Sequence, residues 1–92
     1  MTERVSLRTK LASQPVFGLL QIYPNPVLAE LAGLSGYDYI VIDCEHGIFT
    51  DGDILATLQA VAATGMSVLV RPATHDGQAI GRYLDMGADG LL

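Results

Sequence analysis

The feature that most restricts the fold of this chain is an alternation of short apolar runs with longer amphipathic stretches. The clearest apolar run is Tyr37-Asp38-Tyr39-Ile40-Val41-Ile42-Asp43, whose apolar side chains fall on both faces of an extended chain. A strand of that kind is covered on each side, as in a parallel sheet between layers. Val16 to Ile22 reads as a strand before it, and Ser67 to Val70 as one after it, stopped by Arg71-Pro72.

Helices fill the intervals. Ser6 to Ser13 forms a short leading helix. Asn25 is an N-cap with Pro26 at the first helical position, opening a helix to about Leu34, and Gly36 supplies the left-handed stop. Thr50 and Asp53 have capping-box spacing, and Ile54, Leu55, Leu58, Val61 and Ala62 make an apolar stripe ending at Gly65. Asp76 caps a last helix running through Ile80 and Leu84 to Gly87, and Ala88 to Leu92 begin a fourth strand.

Strand-loop-helix units repeating every roughly 25–30 residues force parallel strands joined by right-handed crossovers. Two α/β architectures fit, an open doubly wound sheet and a (β/α)8 barrel of the TIM type. A barrel takes about 250 residues. The 92 residues here supply about three βα units and the start of a fourth strand, and they end within an apolar run. The expectation is that 1–92 is an incomplete segment of one larger domain, whose exposed strand edge must pair with something.

Composition narrows the partners. Half the residues are apolar and 16% are charged, which excludes disorder. A net charge of -5 with no basic stripe argues against nucleic acid. No apolar run approaches the roughly 20 residues that span a bilayer. The leader Met1 to Lys10 is polar rather than a signal core, and the single Cys44 forms no intrachain disulfide, so the expected compartment is the cytoplasm.

In either architecture, function gathers at the carboxyl ends of the strands. Two such ends carry charge directly after an apolar run: Asp43-Cys44-Glu45-His46-Gly47 and Val70-Arg71-Pro72. With neighbouring strands about 5 Å apart, these ends converge on one small volume. Asp43 and His46, one tight turn apart, are expected to hydrogen-bond, the carboxylate orienting the ring for general-base work. Arg71 offers a planar fork for a substrate carboxylate or a developing enolate oxygen. Glu45 is placed to hold a metal-bound water or brace a metal ligand, and Gly47 to leave space for substrate. The competing readings are a helix-capping Asp43 and an Arg71 that only closes an interior ion pair. Cys44 reads as a small buried filler rather than a nucleophile. His75 reads as a surface residue, Gly87 to Gly90 as a helix stop, and Tyr23 as a candidate pocket wall.

Gly18-Leu19-Leu20-Gln21, Glu30 to Tyr39, Ile42-Asp43-Cys44-Glu45-His46-Gly47, Val70-Arg71-Pro72 and Leu84 to Gly90 together resemble the HpcH/HpaI aldolase family, from about residue 5 to the end. That resemblance implies a (β/α)8 barrel and a class II aldolase cleaving 4-hydroxy-2-oxo acids to pyruvate and an aldehyde. It also implies a divalent metal (Mg, Mn or Co) whose ligating Glu and Asp lie on later strands outside this chain. By position, His46 is the base with Asp43 as its dyad partner. Arg71 contacts the pyruvate oxygens and steadies the enolate, while Glu45 lies near the metal's water ligands. The small-molecule partner is an oxo acid or pyruvate, the assembly a homo-oligomer, and the isolated segment inactive. An alternative is a non-catalytic half-barrel that oligomerises through its edges. An unrelated barrel binding phosphorylated sugars finds no glycine-rich phosphate loop to support it.

Overall fold

The computed structural model describes residues 6–92, so the first half of the polar leader lies outside the described residues. The elements run α1 (Leu7–Ser13), β1 (Gly18–Gln21), α2 (Pro26–Leu34), β2 (Tyr39–Asp43), α3 (Asp51–Val61), β3 (Ser67–Arg71), α4 (Gly77–Met86) and β4 (Gly90–Leu91). The four strands form one parallel sheet in the order β1-β2-β3-β4, as the repeating units required.

Local chemistry sets the helix ends. Asn25 accepts from the Leu28 amide at the start of α2, and Thr50 and Asp53 close a reciprocal capping box on α3. Asp76 accepts from the Gln78 amide on α4. Gly36, Gly65 and Gly87 all take positive φ, where a Cβ would be strained.

The core lies on one face of the sheet. Ile40 and Ile42 of β2 lie directly opposite Val68 and Val70 of β3, and the four pack in one cluster with Ala29 and Ala32 of α2 and Ile54, Leu58 and Val61 of α3. The stripe on α3 differs in part from its sequence pattern: Leu55 and Ala62 are exposed, and Thr57 is buried instead. Thr57 is accommodated because its hydroxyl donates to the Asp53 carbonyl. On α4 it is Tyr83, not Leu84, that turns inward. Strand β1 is also shorter than its apolar run, since only Gly18–Gln21 pairs with β2.

The opposite face carries Leu20, Tyr39, Val41, Asp43, Leu69 and Arg71, by the two-residue alternation of the strands. At its base, Ser6, Leu7 and Arg8 around the start of α1 line a hollow with Ser67, Leu69 and Asp89.

Two matching clamps close the amino-terminal end of the sheet. The Asp38 amide donates to the Phe17 carbonyl at 2.8 Å, and its carboxylate accepts from the Phe17 amide at 2.9 Å. Asp89 does the same to Val68, at 2.8 and 2.7 Å. Each aspartate lies two residues after a positive-φ glycine, Gly36 or Gly87, so the pattern Gly-x-Asp stops a helix and registers the next strand. Asp38 also pairs with Lys10 at 3.2 Å, which ties α1 to the sheet.

Candidate active site

The β2–β3 register makes Asp43 and Arg71 Cα partners at the carboxyl end of the sheet. Beyond them the Cys44 amide donates to the Arg71 carbonyl at 2.9 Å, continuing the ladder into the turn. The two charged strand ends therefore meet as expected.

Asp43 is the hub. Its side chain is 1% exposed. Arg71 Nε donates to Oδ1 at 3.0 Å, and Arg71 Nη2 donates to Oδ2, so the guanidinium forks onto the carboxylate. The amides of Glu45 and His46 also donate to Oδ1, at 3.0 and 3.1 Å. Those two bonds fold the turn back on itself, so Asp43 closes a turn rather than capping the next helix, whose N-cap is Thr50, while also gripping Arg71. The guanidinium, with the two amides behind it, holds this carboxyl well below the usual carboxylate range, against the opposing cost of burial. The same contact raises Arg71 further.

His46 sits differently from the expected direct dyad. Its Nδ1 lies 3.5 Å from Asp43 Oδ2, beyond ordinary hydrogen-bond length, but 3.0 Å from Arg71 Nη2. Arg71 thus stands between the carboxylate and the ring. Glu45 Oε1 lies 3.7 Å from His46 Nε2, and Glu45 Oε2 lies 3.9 Å from Arg71 Nε. The His46 and Glu45 side chains are 66% and 49% exposed, so buried Asp43 anchors two groups that face outward.

Gly47 is required by close main-chain approach. A Cβ there would come within 2.7 Å of the Ile22 carbonyl oxygen and closer still to that of Asp43. The loop is held in that position by the Ile48 amide, which donates to the same Ile22 carbonyl at 3.2 Å. Tyr23 is exposed beyond the end of β1.

Cys44 is half-buried beside the core, and burial followed by the Asp43 charge pushes its thiol up. Nothing in that setting makes it a nucleophile. His75 is exposed, as expected, but it also lines a cavity of about 330 Å³ with Glu45, Thr74, Ile80 and Leu92. That shared wall has no signature along the chain, because it depends on how the loop after β3 lies over the strand ends.

Among the described residues, the donors do not suffice for a metal. The Asp43 oxygens are committed to Arg71 and two amides, and among the described residues no group of three or more His, Cys, Asp or Glu is placed to hold an ion. No helix among those residues is long and apolar enough to cross a membrane.

A parallel β/α sheet with its charged cluster at the carboxyl strand ends is the arrangement of a β/α-barrel enzyme. Residues 18–92 match the family described as HpcH/HpaI aldolase/citrate lyase, and the chain belongs to that family. It is 38% identical over 85 residues to a hydroxypyruvate/pyruvate aldolase of Paraburkholderia phytofirmans, covering 92% of this chain and 32% of that protein. It is 39% identical over 89 residues to a 4-hydroxy-2-oxovalerate aldolase of Novosphingobium aromaticivorans, covering 95% of this chain and 34% of that protein. A solved HpcH/HpaI aldolase from Desulfitobacterium hafniense superposes with a TM-score of 0.83 at 33% identity, over 92% of this chain and 34% of its own. Macrophomate synthase shares the fold, with a TM-score of 0.77 at 24% identity over 92% of this chain and 30% of its own. The four strands are therefore part of a (β/α)8 barrel, and the chain spans about a third of the length of the relatives it matches.

Proposed function

We propose that these residues form the proton-transfer and enolate-binding part of an aldolase that cleaves 4-hydroxy-2-oxo acids to pyruvate and an aldehyde. The observation that carries this reading is the Asp43–Arg71–His46 cluster at the ends of β2 and β3. In cleavage, His46 takes the proton of the 4-hydroxyl, and the C3–C4 bond breaks with its electron pair passing into the pyruvate enolate. Arg71 holds the carboxylate and the enolate oxygen, and the proton then returns to C3. Asp43 fixes Arg71 and is the proposed dyad partner of His46, whose Nδ1 lies 3.5 Å from Oδ2 with the guanidinium between them. Gly47 keeps the turn close to β1 and leaves the substrate side of His46 clear.

The family resemblance adds a divalent metal, whose ligands we assign to residues outside this chain. With too few donors among residues 6–92, the 92-residue chain alone is proposed to be inactive. Proton exchange at the pyruvate methyl group, followed by NMR with added Mn²⁺ or Co²⁺, tests this. No exchange above the metal-only rate is expected, and sustained turnover by the purified chain would contradict it.

A second reading, a non-catalytic oligomerising module, draws on the exposed Val27, Leu28, Leu31 and Leu34 of α2. Self-association also belongs to the aldolase reading, as a homo-oligomer, so a monomeric solution mass would count against the module.

A further inference from the structure

The short contact between Arg71 and His46 fixes more than a position. Arginine stays protonated and has no acceptor atom, so at 3.0 Å its Nη2 can only donate to His46 Nδ1. A neutral ring that accepts at Nδ1 carries its proton on Nε2, the nitrogen 3.7 Å from Glu45 Oε1. In that state neither nitrogen can take a proton: Nδ1 is occupied, and Nε2 is already protonated.

We propose that Arg71 holds His46 in this idle tautomer, and that the base forms only when the guanidinium leaves Nδ1. The next acceptor is already in place. Asp43 Oδ2 lies 3.5 Å from Nδ1 and, once Arg71 Nη2 moves away, is free to accept from an Nδ1–H. The ring then loses its Nε2 proton to solvent and gains one at Nδ1, with no net change in charge. This exposes a lone pair on Nε2 for the substrate hydroxyl. An anion that draws Arg71 away thus switches the base on, so proton abstraction is coupled to binding of a carboxylate. The inference deepens the aldolase reading and rests on it for the identity of that anion.

Long-range proton–nitrogen NMR of the ¹⁵N-labelled 92-residue chain reads the tautomer directly. The exposed His75 is separated by assignment against His75→Gln. In the free wild type, the neutral His46 ring is expected to show Nδ1 as an acceptor-type nitrogen and Nε2 as the protonated one. A dominant Nδ1–H form there would overturn the proposal, whatever any variant does. In Arg71→Leu the pattern should invert, and an Nε2–H ring that persists in the folded variant would also overturn it. Pyruvate is the probe for the anion. Inversion on saturation supports both readings, and saturation without inversion overturns the switch. A titration that moves no site resonance overturns the coupling to a carboxylate, while the free and Arg71→Leu spectra still decide the tautomer. The aldolase reading, whose metal ligands are assigned outside this chain, is tested separately by cleavage in a whole barrel.

Discussion

Arg71 and Asp43 face each other as Cα partners across the β2–β3 ladder, and the guanidinium of one forks onto the buried carboxylate of the other. This pair gives the fold an acid-sensitive joint. The Asp43 carboxyl is lowered from an ordinary value of 3.8, so the unfolded chain takes up protons first as pH falls. The pair's contribution is fully present above about pH 4 and is lost as pH drops further toward the folded-state value. Urea midpoints measured from pH 6 down to pH 2 should fall, and Asp43→Asn should flatten part of that slope. Asp38 is lowered too, by the Phe17 amide and Lys10, so Asp38→Asn should remove a separate share.

Gly47→Ala places a methyl group against two main-chain carbonyls that have no flexible end to yield. Overpacking of this kind costs roughly 1–3 kcal/mol. The urea midpoint should fall accordingly, and the amide signals of Ile22, Asp43 and Ile48 should shift. An unchanged midpoint would mean that the turn lies farther from β1.

The Asp89 clamp predicts an exchange effect at one amide. Asp89→Ala removes the acceptor of the buried Val68 N–H, and an orphaned buried donor costs roughly 1–3 kcal/mol. Hydrogen exchange at Val68 should accelerate more than at Ile42, which lies near the other end of the sheet. Equal acceleration at both would point to global loosening instead.

Cys44 should alkylate with iodoacetamide more slowly in the folded chain at pH 8 than in urea. Burial and the neighbouring Asp43 charge both disfavour its thiolate. Faster reaction in the folded state would contradict the placement of that side chain.

Much of the fold was legible in the sequence because its signals are local. The Asn25-Pro26 start, the Thr50/Asp53 box and the glycines at 36, 65 and 87 each act within one turn of chain, and each stands where its pattern put it. Which side chains of a helix turn inward is less local: Leu55 and Leu84 yield to Thr57 and Tyr83 because the sheet, not the helix, sets the buried direction. The site shows the same division. That Asp43, His46 and Arg71 converge follows from strand ends in a parallel sheet. That Arg71 rather than His46 takes the Asp43 oxygens follows from β2–β3 register, which no spacing along one strand reveals. The Gly-x-Asp pattern at residues 36–38 and 87–89 was readable as a repeat, but its meaning needed the strand it clamps.

The most direct test of the aldolase assignment is a chimera. Residues 18–92 would replace the matching segment of the Paraburkholderia phytofirmans hydroxypyruvate/pyruvate aldolase, and aldol cleavage would be assayed in the folded product. The account predicts a cleaving chimera that loses about 100-fold or more in rate on His46→Ala, as removal of a general base does. A folded chimera that cleaves equally well without the His46 imidazole would contradict it.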